Sequence, residues 1–194
     1  MGSITALRAF TLALGAAWAF GGIAHAQDEG KVLFETCKGC HAIENYKTNY
    51  PTYKVPKLGG QNAQYIVDAL KGYRDGTRTH STMHAQAASL GDEQMLAIGT
   101  YLQSLAQLTA SAGNPPEKAA ACAACHGGAG VAPAPNFPNL AGQHEDYLRH
   151  SLEQYKSQAR QNAIMAGFAG PLTEEDVAVI AAYYASQPGL TTAH

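Results

Sequence analysis

The pattern of apolar and polar positions predicts a chain built from helices. In two segments, near residues 92–105 and 174–186, apolar residues recur at intervals of three and four, which places them on one face of a helix. The residues on these faces are Met95, Ile98, Tyr101, Leu102 and Leu105 in the first segment and Val177, Ile180, Tyr183 and Tyr184 in the second. Further helices are predicted over residues 31–40, 62–73, 116–125 and 145–156. The predicted fold class is therefore all-α.

The predicted elements occur twice along the chain. The segment Leu58-Gly59-Gly60-Gln61 returns as Leu140-Ala141-Gly142-Gln143, 82 residues later. The same offset relates single residues around the helices that follow: Tyr65 and Tyr147, Tyr73 and Tyr155, Arg78 and Arg160, Met83 and Met165, Ile98 and Ile180, and Tyr101 and Tyr183. A constant register through several helices indicates an internal duplication. We predict two domains, residues 27–110 and 111–194, joined near a stretch rich in Ser, Gly and Pro.

The first 26 residues have the features of an export signal. Arg8 precedes an apolar run over residues 9–24, and Ala24-His25-Ala26 has the small-x-small form of a signal-peptidase site. The apolar run of 16 residues is shorter than the roughly 20 that a membrane-spanning helix needs, which argues against an uncleaved anchor. We predict a signal peptide over residues 1–26 and a mature protein in the periplasm.

The four cysteines form two pairs, and a histidine follows each pair directly: Cys37, Cys40 and His41, then Cys122, Cys125 and His126. An even number of cysteines in an exported protein commonly indicates disulfides, but a disulfide within Cys-x-x-Cys closes a very short loop and removes little entropy from the unfolded chain. A zinc site needs its ligand pairs close together, and 82 residues separate these pairs. Cys-x-x-Cys-His is the attachment sequence of c-type haem. The sequence therefore predicts two covalently bound haems, with His41 and His126 as ligands of the two irons.

Two methionines at matched positions, Met83 and Met165, are the expected sixth ligands of the irons. A methionine opposite a histidine raises the reduction potential of a haem, and a filled sixth position keeps oxygen and peroxide from the iron. Methionine otherwise fills gaps in apolar cores, which is the role expected for Met95. Pro56 and Pro138 also occupy matched positions, and we expect their carbonyl groups to accept a hydrogen bond from the second ring nitrogen of each iron-ligating histidine.

The remaining histidines are expected at the surface. His80 and His84 flank Met83 and are alternative ligands for the iron or for copper. The second domain has no histidine beside Met165, so the repeat argues against that role. His144 and His150 have no matching histidines in the first domain, and we expect them at the surface as well.

These motifs in this order resemble class I cytochrome c, and their tandem arrangement is similar to the di-haem cytochrome c4 family. The resemblance covers essentially all of the chain after residue 26. It implies two cytochrome c domains packed face to face about a pseudo-twofold axis, with their haem propionate edges close together. It also implies a periplasmic electron carrier, often associated peripherally with a membrane. Such a carrier takes electrons from a cytochrome bc-type complex or another donor and delivers them to a haem–copper terminal oxidase or another acceptor. The longer first loop, with Tyr46, Tyr50 and Tyr53, departs from the second copy.

Enzymatic and sensory roles are the alternatives. A di-haem peroxidase or a gas sensor needs an open or openable iron, whereas both irons here have a candidate methionine. Thiosulfate-oxidising haem enzymes often use a cysteine as an iron ligand, and no cysteine is spare. A haem subunit of a larger periplasmic oxidoreductase also stays open.

The charges of the chain are few and are distributed unequally. Charged residues make up 14% of the sequence and the formal net charge is −2, a composition that does not indicate a nucleic-acid partner. Residues 27–110 carry eight basic and eight acidic side chains, whereas residues 111–194 carry four and seven. All the lysines of the first half, Lys31, Lys38, Lys47, Lys54, Lys57 and Lys71, are candidates for an acidic partner surface. Two interpretations stay open: the first half docks an acidic partner and the second half a different one, or the lysines are scattered over a solvated surface.

Overall fold

A computed structural model describes residues 27–194, and the predicted signal peptide lies outside the described residues. Within this range the backbone forms helices, loops and three isolated β-bridges. In chain order the helices are α1 (residues 27–34), α2 (Lys38–His41), α3 (Ala63–Asp75), α4 (Ser81–Ala87), α5 (Asp92–Ser104), α6 (Ala120–His126, after a 3₁₀ turn over Glu117–Ala119), α7 (Glu145–Lys156), α8 (Ala163–Ala169) and α9 (Glu174–Ala185). No helix of residues 27–194 is long and apolar enough to cross a membrane.

The two halves repeat the same arrangement of helices. In the first half α3 packs on α4 and α5, and in the second half α7 packs on α8 and α9. The helices predicted over residues 62–73 and 145–156 are present as α3 and α7, and the amphipathic segments near residues 92–105 and 174–186 are α5 and α9. The all-α prediction is confirmed.

The structure also contains two short helices that the sequence pattern did not predict. These are α4 and α8, of seven residues each, and they hold Met83 and Met165. Seven residues are too few for a clear apolar face, and isolated helices of this length are unstable in water. Each is stabilised at its first turn by a capping side chain and by packing on the preceding long helix.

The helix predicted over residues 31–40 is divided in two. A turn over residues 35–37 separates α1 from α2. In this turn the Glu35 N–H donates to the Val32 carbonyl (3.2 Å) and the Cys37 N–H donates to the Phe34 carbonyl (2.8 Å). Both bonds span three residues, the tighter spacing with which α-helices often end.

The helix that contributes a fully buried large aromatic side chain to the core differs between the two halves. In the first half Phe34 of α1 lies in the same core cluster as Leu102 of α5, and both are buried. In the second half the matched positions hold Ala119 and Tyr184, also buried. The large ring lies on the first helix of one half and on the last helix of the other, so the two cores can be filled to a similar volume.

The halves meet across a local two-fold axis. Arg78 and Arg160, which the repeat matches to each other, form an antiparallel bridge. The neighbouring residues exchange two backbone hydrogen bonds, of 2.9 and 2.7 Å: the Thr79 N–H donates to the Ala159 carbonyl, and the Gln161 N–H donates to the Thr77 carbonyl. Because these two bonds are related by the repeat offset, the axis passes between the two arginines.

Two glutamines of the repeated segments join the halves reciprocally. The Gln61 amide donates to the Asn139 carbonyl (3.0 Å) and accepts from the Asn139 N–H (2.8 Å). The Gln143 amide donates to the Lys57 carbonyl (2.9 Å) and accepts from the Lys57 N–H (2.9 Å). The repeat matches Asn139 to Lys57, so each glutamine bonds to the same backbone position in the other half.

The longer first loop contributes a further contact between the halves. Tyr53 is buried and its ring stacks on the imidazole of His150, with 4.1 Å between the ring centroids. The Lys54 N–H donates to the Asp146 carboxylate at 3.1 Å. The other two tyrosines of this loop are exposed. Part of the loop therefore lies in the interface, and residues 43–47 and 49–52 stay exposed.

Candidate haem sites

The histidine of each haem motif is held by a proline carbonyl. Nδ1 of His41, at the end of α2, lies 3.1 Å from the Pro56 carbonyl oxygen. Nδ1 of His126, at the end of α6, lies 3.0 Å from the Pro138 carbonyl oxygen. A carbonyl only accepts hydrogen bonds, so Nδ1 carries the proton in both rings and Nε2 keeps its lone pair. Both rings therefore have the tautomer that binds a metal through Nε2.

Burial also keeps these two imidazoles neutral. It is the largest cause acting on the pKa of His41 and of His126, and it lowers both pKa values against the opposite effect of the proline carbonyls. The charge of His80 lowers the pKa of His41 further. Neutral imidazole is the form that ligates iron.

The cysteines lie within one helical turn of these histidines. In each motif the first cysteine precedes the histidine by four residues, so the two side chains share a face where the segment is helical. All four cysteines are partly buried and none forms a disulfide. Burial raises the pKa of the Cys37 and Cys122 thiols. Two thiols placed in this way could both bond to one haem beside the histidine.

Met83 and Met165 occupy the same place in their short helices. Each is the third residue of its helix, and its backbone N–H donates to the side chain that caps the helix. The acceptors are Nδ1 of His80 (3.2 Å) and Oδ1 of Asn162 (3.0 Å). The two methionines therefore share the same backbone environment, as expected of a duplicated ligand position.

Of the four histidines expected at the surface, only His84 is exposed, and its Nδ1 lies 2.8 Å from the Tyr73 carbonyl oxygen. His80 and His150 are partly buried. The expectation was wrong for His144, which is 9% exposed. Burial and two lysines of the first half lower the pKa of His144, so this ring lies against the other half of the chain.

Two buried arginines lie on the axis between the halves. Nη2 of Arg78 donates to the Tyr147 hydroxyl at 2.7 Å, and Nη2 of Arg160 lies 3.4 Å from the same oxygen. The guanidinium carbons lie 4.5 Å from the ring centroid of Tyr73 and 5.1 Å from that of Tyr155, respectively. Within residues 27–194 neither arginine forms an ion pair with a carboxylate, and neither Nε atom has a hydrogen-bond partner. We call this group of five residues the arginine cluster.

The arginine cluster has a strongly positive potential. Burial acts to raise the pKa of the Tyr147 phenol, but Arg78 and Arg160 outweigh it and lower that pKa to about 8. Two adjacent cations in a buried site are costly unless anions neutralise them. The cluster therefore has the composition of a site for anionic groups.

Comparison with known proteins identifies the family. The sequence model of the Cytochrome c family matches residues 27–106 and again residues 117–187. The chain is 30% identical to Cytochrome c4 of Pseudomonas aeruginosa, across 84% of this chain and 90% of that protein. The chain belongs to the di-haem cytochrome c4 family. It is also 30% identical to a Thiosulfate dehydrogenase electron acceptor of Stutzerimonas stutzeri, across 78% of this chain and 77% of that protein.

The solved structure of Acidithiobacillus ferrooxidans cytochrome c4 has the same fold. It superposes with a TM-score of 0.65 and 29% identity, and the match covers 79% of this chain and 99% of that one. Two tandem cytochrome c domains, each with its Cys-x-x-Cys-His motif, imply two covalently bound haem c groups. Haem 1 is attached through Cys37 and Cys40, and haem 2 through Cys122 and Cys125. Electron transport is the activity of this family.

The residues of the arginine cluster fit a cytochrome c4 that carries its haems. Each haem brings two propionate carboxylates, and the buried guanidinium groups have donors without partners. Arg78 and Arg160 recur at the repeat offset, as do Gln61 and Gln143, but the sequence pattern predicts no role for them. The signal for all four was present, since each is a polar residue repeated at a constant offset. Their common location at the axis could not be read from the chain.

Proposed function

We propose that this cytochrome is a periplasmic carrier that passes single electrons between redox proteins through two haems of the same ligand type. His41 and Met83 bind the iron of haem 1, and His126 and Met165 bind the iron of haem 2. The observation that carries the proposal is the duplicated ligand set. Each half presents a histidine with an available Nε2 and a methionine on a capped helix.

The residues around each iron favour rapid electron transfer over catalysis. The haem supplies the redox chemistry when bound, since its iron holds or releases one electron. The Pro56 and Pro138 carbonyls fix the planes of the two imidazoles. Met83 and Met165 would supply thioether ligands to the two irons and would thereby keep oxygen and peroxide from binding there. A ligand set that is the same in both oxidation states needs little rearrangement when an electron arrives.

We also propose that Arg78 and Arg160 receive propionate groups from both haems. Their Nε atoms have no hydrogen-bond partner within residues 27–194, and charge-assisted bonds between guanidinium and carboxylate are among the strongest hydrogen bonds in proteins. The local axis would bring the propionate edges of the two haems to the same cluster. Electrons would then pass between the haems inside the protein, and the two halves would exchange electrons with different partners.

The resemblance to cytochrome c4 favours a donor such as a cytochrome bc-type complex and an acceptor such as a haem–copper terminal oxidase. The relative described as a thiosulfate dehydrogenase electron acceptor adds a second class of donor, a periplasmic dehydrogenase of sulfur compounds. The same relative supports the alternative that this chain acts as the haem subunit of such an oxidoreductase. In both cases the chain accepts and releases electrons and a partner performs the substrate chemistry.

The absorption spectrum of the oxidised protein tests the ligand assignment. We expect the near-infrared band of methionine bound to Fe(III), with an intensity that corresponds to two haems, and no high-spin signal. A single His/Met haem beside a high-spin or bis-histidine haem would contradict the carrier proposal and would favour a peroxidase or a gas sensor. Because the band reports the iron ligand directly, the test does not require the natural partners.

The surfaces beside the two haem motifs differ in chemistry, which supports two different partners. In the first motif Glu35 and Lys38 form an ion pair of 2.6 Å, and the matched positions of the second motif are both alanine. Ile164 and Phe168 on α8 are 62% and 48% exposed. Their matched residues on α4 are Thr82 and Gln86. The first half also exposes Val32 and Ile43 (72% and 49%) beside its motif, so the difference lies on α4 and α8: we propose that α8 gives the second half an apolar docking face, whereas the first half docks an acidic partner through its lysines.

Salt dependence of electron-transfer rates tests this difference. Of the lysines of the first half, Lys57 is unsuitable for the test because it takes part in the contact between the halves. Lys31 and Lys47 are exposed, and reversing both charges should slow the reaction with the partner of haem 1. Fixed charges steer encounter, so this effect should fade as salt shortens the Debye length from about 10 Å at 0.1 M.

The matched variant for the second half is Ile164→Thr with Phe168→Gln, which gives α8 the residues of α4. We expect it to slow the partner of haem 2 by a factor that salt does not change, because apolar contact does not depend on screening. Equal effects of the two variant pairs on every partner would contradict the proposal of separate faces.

A further inference from the structure

The C-terminal residues leave the second half and pack on the first. The Gly59 N–H donates to the Thr191 carbonyl (2.9 Å), and the Thr191 N–H donates to the Gly59 carbonyl (3.0 Å). The Leu190 N–H still donates to Ala141 of its own half (2.8 Å). Ala193 is completely buried and belongs to the apolar core of the first half. We call residues 190–194 the C-terminal strap.

The C-terminal strap contacts both segments that hold the ligand of haem 1. Gly59 lies three residues after Pro56, whose carbonyl is 3.1 Å from Nδ1 of His41. Two residues beyond Thr191, the Ala193 N–H of the strap donates to the His41 carbonyl at 3.4 Å. The strap thus bridges the backbone of His41 and the loop that carries its hydrogen-bond acceptor.

Within residues 27–194 no backbone hydrogen bond of this kind joins the first half to the His126 segment, although Ala112 and Gly113 of the linker pack against Gly128. Thr109 is the residue that the repeat matches to Thr191, and it is exposed. The matched partner of Gly59 is Ala141, which bonds to Leu190 of its own half. The duplication is therefore broken in its backbone hydrogen bonds: the described residues bond the strap to the His41 segment and have no matched bonds at the His126 segment.

We propose that the C-terminal strap positions His41, so that the second half of the chain sets the geometry of the haem 1 iron ligand. The strap fixes the distance between the Pro56 carbonyl and the imidazole, and this hydrogen bond determines ring orientation and ligand basicity. Thr191 is a positioning residue, because it acts on the iron only through Gly59, Pro56 and His41. The inference rests on the proposed role of His41 as the ligand of haem 1.

Two variants displace the strap from opposite sides. Thr191→Pro removes the N–H that donates to Gly59. Gly59→Ala leaves the strap intact but adds a methyl group that collides with the Thr191 hydroxyl. Gly59 does not have a positive φ, and the matched residue of the second half is alanine, so this backbone position accepts a side chain. The matched control is Thr109→Pro, a proline at the same place in the other half.

The measurement is made on the oxidised full-length protein with both haems. In both strap variants we expect the paramagnetically shifted haem methyl signals in the NMR spectrum to move for haem 1 and to stay in place for haem 2. In Thr191→Pro, exchange of the Gly59 amide proton should quicken by roughly 2- to 12-fold, the range that one backbone hydrogen bond provides. The Thr109→Pro control should match the unaltered protein in both respects.

Three results would overturn the inference: unchanged haem 1 signals in both strap variants, equal movement of both haems, or loss of both haems. Each would mean that the strap does not act specifically on the ligand of haem 1. These outcomes are separable from failure of the proposed function, because the near-infrared band of the unaltered protein reports the His/Met ligands independently.

Discussion

Replacing Met83 with alanine should open the iron of haem 1 and lower its reduction potential, while haem 2 stays low-spin. Loss of the thioether removes the ligand that favours the ferrous state. We expect a fall on the order of 0.1–0.3 V, within the roughly 0.8 V range that axial ligands control. The near-infrared methionine band should lose half of its intensity, and the reduced protein should bind one carbon monoxide. Met165→Ala should produce the same changes at haem 2.

The matched control is Met95→Leu, which alters a completely buried methionine of α5 that is not a candidate ligand. It should leave both potentials and the near-infrared band unchanged, since a swap of similar volume costs less than about 1.5 kcal/mol. If Met83→Ala left both potentials in place, the assignment of Met83 would be wrong. Each methionine is tested separately, so one assignment can fail without the other.

Replacing Arg78 or Arg160 with glutamine should destabilise the protein and make its reduction potentials depend on pH. If the arginines neutralise propionates, each substitution leaves a buried carboxylate without its partner, which costs roughly 3–5 kcal/mol. If no propionates are bound there, each substitution would remove one of two adjacent cations and would raise the free energy of unfolding. The sign of the change in the free energy of unfolding therefore decides whether the cluster holds anions.

The pH dependence has a definite direction. Loss of a guanidinium raises the pKa of a buried propionate, because desolvation then acts without compensation. The proton stabilises the reduced haem more than the oxidised haem, so the potential should be higher at low pH and should fall as pH rises through the raised pKa. Redox titrations between pH 5 and 8 measure this slope. Arg78→Lys keeps the charge and should show a weaker slope than Arg78→Gln.

Arg149→Gln is the surface control for this experiment. Arg149 is 48% exposed in its side chain and lies 3.8 Å from the Glu145 carboxylate. Its replacement should change stability by no more than about 0.5 kcal/mol and should leave the potentials independent of pH in the same range. A pH slope in this variant equal to that of Arg78→Gln would assign the effect to net charge and not to the arginine cluster.

The chemistry of the chain was determined by its sequence. Cys-x-x-Cys-His has one common use in an exported chain, so two copies with no cysteine left over predicted two haems. The helix class followed from the spacing of apolar residues such as Ile98 and Ile180, because that spacing is a local property of the backbone. The repeat offset matched Met83 with Met165 and Pro56 with Pro138 before their surroundings were known. The hydrogen bonds from His41 and His126 to these prolines have the predicted partners.

Only the tertiary structure decided how the two copies cooperate. Gln61 and Gln143 are repeated polar residues in the sequence, but each bonds to the backbone of the other half. His144 was expected at the surface because the first half has no matching histidine, but it is buried. The arginine cluster and the C-terminal strap likewise join residues that are far apart in sequence. Local spacing reports which residues share a helix face, whereas contacts across an interface depend on how complete halves pack together, and no periodicity within one half records that packing.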